Sequence, residues 1–139
     1  MTRFVVDASI AIAWVHPDQA TAATQAMLAS VATGAILEVP SLWHLEVANA
    51  LLVLRRRGKI TDRERKLALD RLGALPCAID GDTAAVAFGS VSEVATRYDL
   101  SVYDAAYVEL AQRKALPLAS KDQPLLKAAR RAKVTVWLA

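Results

Sequence analysis

Short runs of β-branched and apolar residues recur along this chain of 139 residues, each separated from the next by a stretch of helical periodicity. "RFVV" at 3–6 ends on Asp7, "AILEV" at 35–39 is stopped by Pro40, and "LPLA" at 116–119 precedes Ser120, Lys121 and Asp122. "CAI" at 77–79 is a weaker run, and "VTVW" at 134–137 is the last. Strands alternating with helices pair in parallel through right-handed crossovers, because each helix carries the chain back to the same edge of the sheet. The expected fold is α/β: a three-layer α/β/α sandwich around a central, mostly parallel sheet of four to five short strands, with residues 1–139 as a single domain.

The helical segments carry their own boundary signals. One pattern starts near Ser9 and another covers about 18–33, before Gly34. Ser41 suits the N-cap of a long helix reaching Arg57, with Trp43, Val47, Leu51 and Leu54 at helical spacing and Gly58 as terminator. Thr61-Asp62-Arg63-Glu64 fits a capping box for a helix to about Leu72. Asp82 or Thr83 can cap a helix reaching Arg97, Ser101 opens "SVYDAAYVELAQRKA", and a last helix covers about 123–131.

Composition excludes several classes. A hydrophobic share of 55% with five Gly and five Pro rules out a disordered or collagen-like chain. Asp7 interrupts the apolar stretch "FVVDASIAIAWV" and His16-Pro17 closes it, so it falls short of the roughly 18 residues a membrane span needs. The stretch also lacks the basic lead-in and small-residue cleavage site of an export signal. Cys77 stands alone, which agrees with a reducing compartment, and a cytoplasmic location is expected. With two His and one Cys, a structural zinc site has too few ligands, so any metal here is held by oxygen.

Four acids stand out by position. Asp7 ends the first strand, and Asp122 follows the "LPLA" strand, where an open parallel sheet binds its ligands. Glu46 shares a helical stripe with Trp43, Ala50 and Val53, and Asp104 shares one with Tyr107, Val108 and Ala111. Both are core-facing company for a carboxylate, whereas Glu109 and Arg113 fall on the other side of their helix and read as surface residues. Plainer readings stay open: Asp7 and Asp122 suit helix N-caps, Asp104 suits the third position of a capping box with Ser101, and Glu46 suits the solvent border of its stripe. Asn49, one turn beyond Glu46, is placed to hydrogen-bond it. Ser9 and Ser120 can orient a ligand or serve as local caps. Tyr103 and Tyr107 suit core packing or base stacking.

Carboxylates gathered in one pocket repel by about 4 kcal/mol per pair at 4 Å and an effective dielectric near 20. That is a large fraction of the 5 to 15 kcal/mol or so that holds a domain together. They must protonate or enclose a cation, and hard oxygen donors select Mg²⁺ or Mn²⁺, as one or two ions. Such a site suits metal-assisted hydrolysis of a phosphodiester. No G-x-G-x-x-G or G-x-x-x-x-G-K motif offers the phosphate-cradling alternative. Arg55, Arg56, Arg57 and Lys59 form one basic cluster, and Lys127, Arg130 and Arg131 another. Both read as solvated helix faces or as tracks for a polyanion such as RNA, with Lys121 beside the acids.

"VVDASI", "LEVANAL", "YDAAYVELA" and "LASKD", in that order and spacing, resemble the PIN-domain ribonucleases, and among them the VapC-type toxins of type II toxin–antitoxin pairs. The resemblance spans essentially the whole chain. It implies a PIN-like fold, an acidic quartet of Asp7, Glu46, Asp104 and Asp122 that is catalytic and binds Mg²⁺ or Mn²⁺, and Ser9, Asn49 and Ser120 in support. Ser120 stands where members often carry Thr. The resemblance further implies an RNA substrate, a cognate antitoxin whose tail enters the groove, and a homodimer. Two other readings differ in class: a non-catalytic binding module on the same fold, and an aspartyl-phosphate phosphatase with Asp7 as nucleophile and Lys121 in support. The phosphatase needs a second Asp where Ser9 stands.

Overall fold

The computed structural model describes residues 2–137. Four strands, β1 (Arg3–Val6), β2 (Ile36–Pro40), β3 (Cys77–Asp80) and β4 (Leu118–Ala119), form one sheet in the order β3-β2-β1-β4. Every pairing is parallel: Phe4 faces Leu37, Leu37 faces Cys77, and Val6 faces Ala119. β1 is internal and covered on both faces, which is why Phe4, Val5 and Val6 read as an unbroken apolar run and are all fully buried. Helices α1 (Ala8–Val15), α2 (Ala22–Ala32), α3 (Trp43–Arg56), α4 (Asp62–Gly73), α5 (Thr83–Val86), α6 (Ser92–Tyr98), α7 (Val102–Lys114) and α8 (Gln123–Arg131) complete an α/β/α sandwich. α7 packs against β1 and β2, while α1 is surrounded by α2, α3 and α4. Among the described residues no helix is long and apolar enough to cross a membrane.

Local chemistry explains most boundaries. Thr61 and Glu64 form the expected capping box at α4, and Thr21 with Thr24 forms another at α2. α3 stops at Gly58, whose φ of +70° is the left-handed conformation that a glycine adopts without steric cost.

Four expectations about element boundaries fail. The second helix starts at Ala22 rather than near 18, because Pro17–Gln19 forms a separate 3-10 turn and Thr21 is the better cap. Ser41 caps nothing; its N–H is bonded to the Thr83 hydroxyl at 3.0 Å, and α3 begins two residues later without a side-chain cap. The helix expected from Asp82 or Thr83 to Arg97 is broken. Thr83 turns its hydroxyl to the Asp80 carbonyl, and Gly89 takes ψ −106° inside a π-type turn, Ala87–Val91, that separates α5 from α6. Residues 134–137 form no strand but one bridge, Val136 to Leu118, since β4 has only two residues to offer.

One expectation about burial is also overturned. Glu109 and Arg113 are not a solvated pair: Glu109 is 4% exposed and bonded to Arg113 at 2.8 Å. Arg113 reaches on to Asp80, 5% exposed at the end of β3, with contacts of 2.6 and 3.1 Å. The Ser90 hydroxyl donates to Glu109 as well, so this network ties α7 to β3 and to the π-type turn.

Candidate active site

Parallel strands all end at one edge of their sheet, and the residues that open the following helices collect there. Asp7 follows β1 directly and Ser120 follows β4, one step beyond the register pair Val6 and Ala119. Their side chains meet: the Ser120 hydroxyl donates to Oδ2 of Asp7. Oδ1 of Asp7 accepts from the Ser9 hydroxyl at 2.6 Å and from the Ser9 N–H at 3.1 Å, which makes Asp7 the N-cap of α1. The same hydroxyls then draw in the next segment. Ser9 Oγ accepts the Lys121 N–H at 2.8 Å, and Ser120 Oγ accepts the Asp122 N–H at 2.9 Å. Asp122 caps α8 with Oδ1, which accepts from the Leu125 N–H at 3.2 Å.

Glu46 on α3 and Asp104 on α7 approach from the helical side. Tyr107, 1% exposed, donates its hydroxyl to Oε1 of Glu46 and so ties α7 to α3. This is the partnership expected of Asn49, which is exposed and, among the described residues, makes no hydrogen bond to Glu46. Asp104 lies one turn before Tyr107, its N–H bonded to the Ser101 hydroxyl at 3.1 Å. Only that half of a capping box forms, which leaves the Asp104 carboxylate unused by the helix end. Tyr103 is 66% exposed and takes no part in the core.

The four carboxyl groups feel one another. Burial pushes Asp7 above its ordinary range, hydrogen bonds from Ser120, Ser9 and Ile10 pull it back, and the charge of Asp122 adds to the rise. Glu46 is raised first by burial, eased by the Tyr107 hydroxyl, and raised further by Asp104 and Asp7. Asp104 is raised by burial and then by Asp122, with the Ser101 hydrogen bond acting against them. Tyr107 is itself pushed well up, by burial and then by its bond to Glu46, so it remains a donor. Among the described residues none of the four acids forms an ion pair.

An all-oxygen donor set of like charges without a protein cation fits a hard divalent ion. No three of the acids form a closed ligand cage among the described residues. Mg²⁺ does not require one, because it keeps several waters and binds through one or two carboxylates. Carboxylates near enough to repel yet too far apart to share one coordination shell suit contact through those waters.

The basic residues divide. Lys121 is at the site, between Ser9 and Asp122. Arg55, Arg56, Arg57 and Lys59 lie at the opposite end of α3 from Glu46; nine residues of helix put Arg55 about 14 Å along the axis. Arg55 is engaged with Asp62 on the surface. Lys127, Arg130 and Arg131 run along α8 away from Asp122, and Arg131 lies over the Tyr98 ring at 5.7 Å.

The PIN domain model matches residues 4–131. None of the curated proteins matches the chain in sequence. Among solved structures, PAE2754 from Pyrobaculum aerophilum superposes with a TM-score of 0.63 at 24% identity, over 91% of this chain and 86% of that one. VapBC2 from Rickettsia felis, solved with a DNA fragment from its promoter, gives 0.68 at 13% identity over 97% of both chains. FitAcB from Neisseria gonorrhoeae gives 0.65 at 15% identity, over 97% of this chain and 96% of that one. Identities this low speak for the fold. The family match runs from before Asp7 to beyond Asp122 and takes in the positions of all four acids, and on it the chain belongs to the PIN domain family.

Proposed function

We propose that this protein is a Mg²⁺- or Mn²⁺-dependent endoribonuclease, the toxin of a type II toxin–antitoxin pair, working in the cytoplasm. What supports the reading is that Asp7 and Glu46 are held by hydroxyls, that Asp122 and Asp104 act on them by charge, and that among the described residues none of the four acids pairs with a cation. A divalent ion bound there supplies Lewis acidity to the phosphodiester and activates water for its hydrolysis. Asp7, Glu46 and Asp104 are its main anchors, directly or through water, and Asp122 supports them. Ser9 and Ser120 hold both oxygens of Asp7 in a fixed orientation, so the carboxylate has little freedom to lose when an ion binds. Tyr107 does the same for Glu46. The exposed amide of Asn49, one turn from Glu46, is free for the substrate.

The partners follow from the same reading. VapBC2 and FitAB were both solved on DNA fragments. By analogy this chain pairs with an antitoxin that blocks the acidic edge, and it works as a homodimer. The test is RNA cleavage by the pure protein: EDTA abolishes it and Mn²⁺ restores it. Cleavage that persists unchanged in chelator would refute the metal mechanism. Growth inhibition by Asp7→Ala equal to that of wild type would instead favour a binding module that does not cut.

A further inference from the structure

The sequence stripe that carries Glu46 runs from Trp43 through Ala50 to Val53, and its apolar members read as core. Only Trp43 is. The core face of α3 is Trp43, Val47 and Leu51, whereas Ala50, Val53 and Leu54 are only half-buried. With Ile12 of α1 they floor a cavity of about 350 Å³, at the small end of the range that takes organic ligands. At the helical rise, Ala50 lies about 6 Å and Val53 about 10 Å along the α3 axis from Glu46.

The rim of this cavity is polar and continuous with the acidic site. Ser9, whose hydroxyl holds Asp7, is one rim residue; Gln19 and Lys121 are the others. The Lys121 ammonium donates to the Gln19 carbonyl at 2.6 Å and to its side-chain Oε1 at 3.2 Å. Both acceptors are neutral, and among the described residues Lys121 forms no ion pair. Its charge is therefore fixed in place without being neutralised, beside a pocket with an apolar floor. Because an ammonium can only donate, the Gln19 oxygen must face it, which leaves the Gln19 amide N–H groups free as donors.

We propose that this cavity is a base-binding subsite: it takes the nucleobase next to the phosphodiester at the acidic edge, with Lys121 on the adjoining phosphate and Gln19 donating to a ring carbonyl. The proposal rests on the nuclease reading and adds a site of sequence preference to it. An apolar floor receives the face of a base, a fixed cation receives a phosphate, and a paired amide reads an acceptor. A protein segment would need only the floor.

The test titrates the ¹⁵N-labelled full chain, in Mg²⁺, with the four ribonucleoside 5′-monophosphates and with ribose 5-phosphate. At least one nucleotide should shift Gln19, Val53 and Leu54 resonances that ribose 5-phosphate leaves alone. Val53→Trp, which fills the cavity, should weaken that nucleotide at least tenfold; Ala50→Leu is the milder filler should the tryptophan variant fail to fold. Lys121→Ala should lower the salt slope of single-stranded RNA binding by about 1. Nucleotide shifts identical to those of ribose 5-phosphate would overturn the subsite, and so would the absence of any shift at the cavity, which would leave it to a protein segment. Cleavage of a mixed-sequence RNA by the wild type, measured alongside, decides the nuclease reading separately.

Discussion

Replacing Arg113 with Met tests whether a buried charge network, rather than a surface ion pair, anchors α7. Asp80 and Glu109 are 5% and 4% exposed, and Arg113 reaches both through four contacts of 2.6 to 3.1 Å. Methionine keeps the aliphatic volume and removes the cation, leaving two carboxylates in the interior without compensation. Breaking a buried pair in this way costs about 3 to 5 kcal/mol. The Arg113 side chain is 27% exposed, so water can reach the gap and the lower end applies. At roughly 3 °C per kcal/mol for a chain of this length, Tm should fall by about 10 °C at pH 7. In the wild type, burial pushes Asp80 up, but the bonds and charge of Arg113, with the Asp82 N–H and the Thr83 hydroxyl, together outweigh it and hold its carboxyl group below the ordinary range. A depressed carboxyl group stabilises the fold above its unfolded value near 3.9 and loses that contribution as pH falls through its folded value. In Arg113→Met the sign reverses: the orphaned Asp80 prefers a proton, so the variant gains on wild type as pH is lowered from 7 toward 5. Thermal melts followed by circular dichroism across that range measure both effects. A Tm within about 2 °C of wild type at pH 7 would refute the reasoning, and adding Asp80→Asn and Glu109→Gln to the variant should recover much of the loss.

Glu46→Gln keeps an acceptor for Tyr107 and removes one of the mutually repelling charges, so metal-free protein should gain about 1 kcal/mol or less at pH 7, the site being half-exposed. Because the Glu46 carboxyl group is raised in the fold, wild type loses stability as pH rises through its titration, and the difference from Glu46→Gln should vanish near pH 4; the rise in Tm on adding Mn²⁺ should shrink in the variant. Tyr107→Phe frees Glu46 to turn and should lower Mn²⁺ affinity, read by calorimetry, by about 10- to 100-fold while α7 stays folded. Thr61→Ala removes a capping box far from the acids and should cost about 1 kcal/mol of stability, read as a lower Tm, with cleavage unchanged.

What could be read from the sequence was what lies within a few residues. Asp7, Ser101 and Asp122 announce helix starts because each accepts from an N–H two or three positions on. The alternation of strands and helices fixes the parallel sheet for the same reason, since a helix between strands leaves no short hairpin. What could not be read depends on partners far along the chain. A Glu and an Arg four apart look identical whether they face water or a third charge, and Asp80, 33 positions from Arg113, decides which. Ser41 looked like a cap until Thr83, 42 positions away, took its N–H. Asn49 looked like the partner of Glu46 because it is one turn away on the same helix; Tyr107, 61 positions away, holds that place through the packing of α7 on α3.

The ion-paired acids and the four at the edge of the sheet differ in the partners they are given. Glu38 is matched by Arg3 at 2.8 Å, and Asp80 and Glu109 by Arg113. Basic residues are plentiful, 17 Lys and Arg against 14 acids, so a guanidinium could have served the edge of the sheet as well. There the chain uses the hydroxyls of Ser9, Ser120 and Tyr107 instead. A hydroxyl orients a carboxylate through its single hydrogen bond but leaves the charge uncancelled. The uncompensated negative charge therefore collects where β1 and β4 end, at a cost in stability that protonation or a bound cation would relieve.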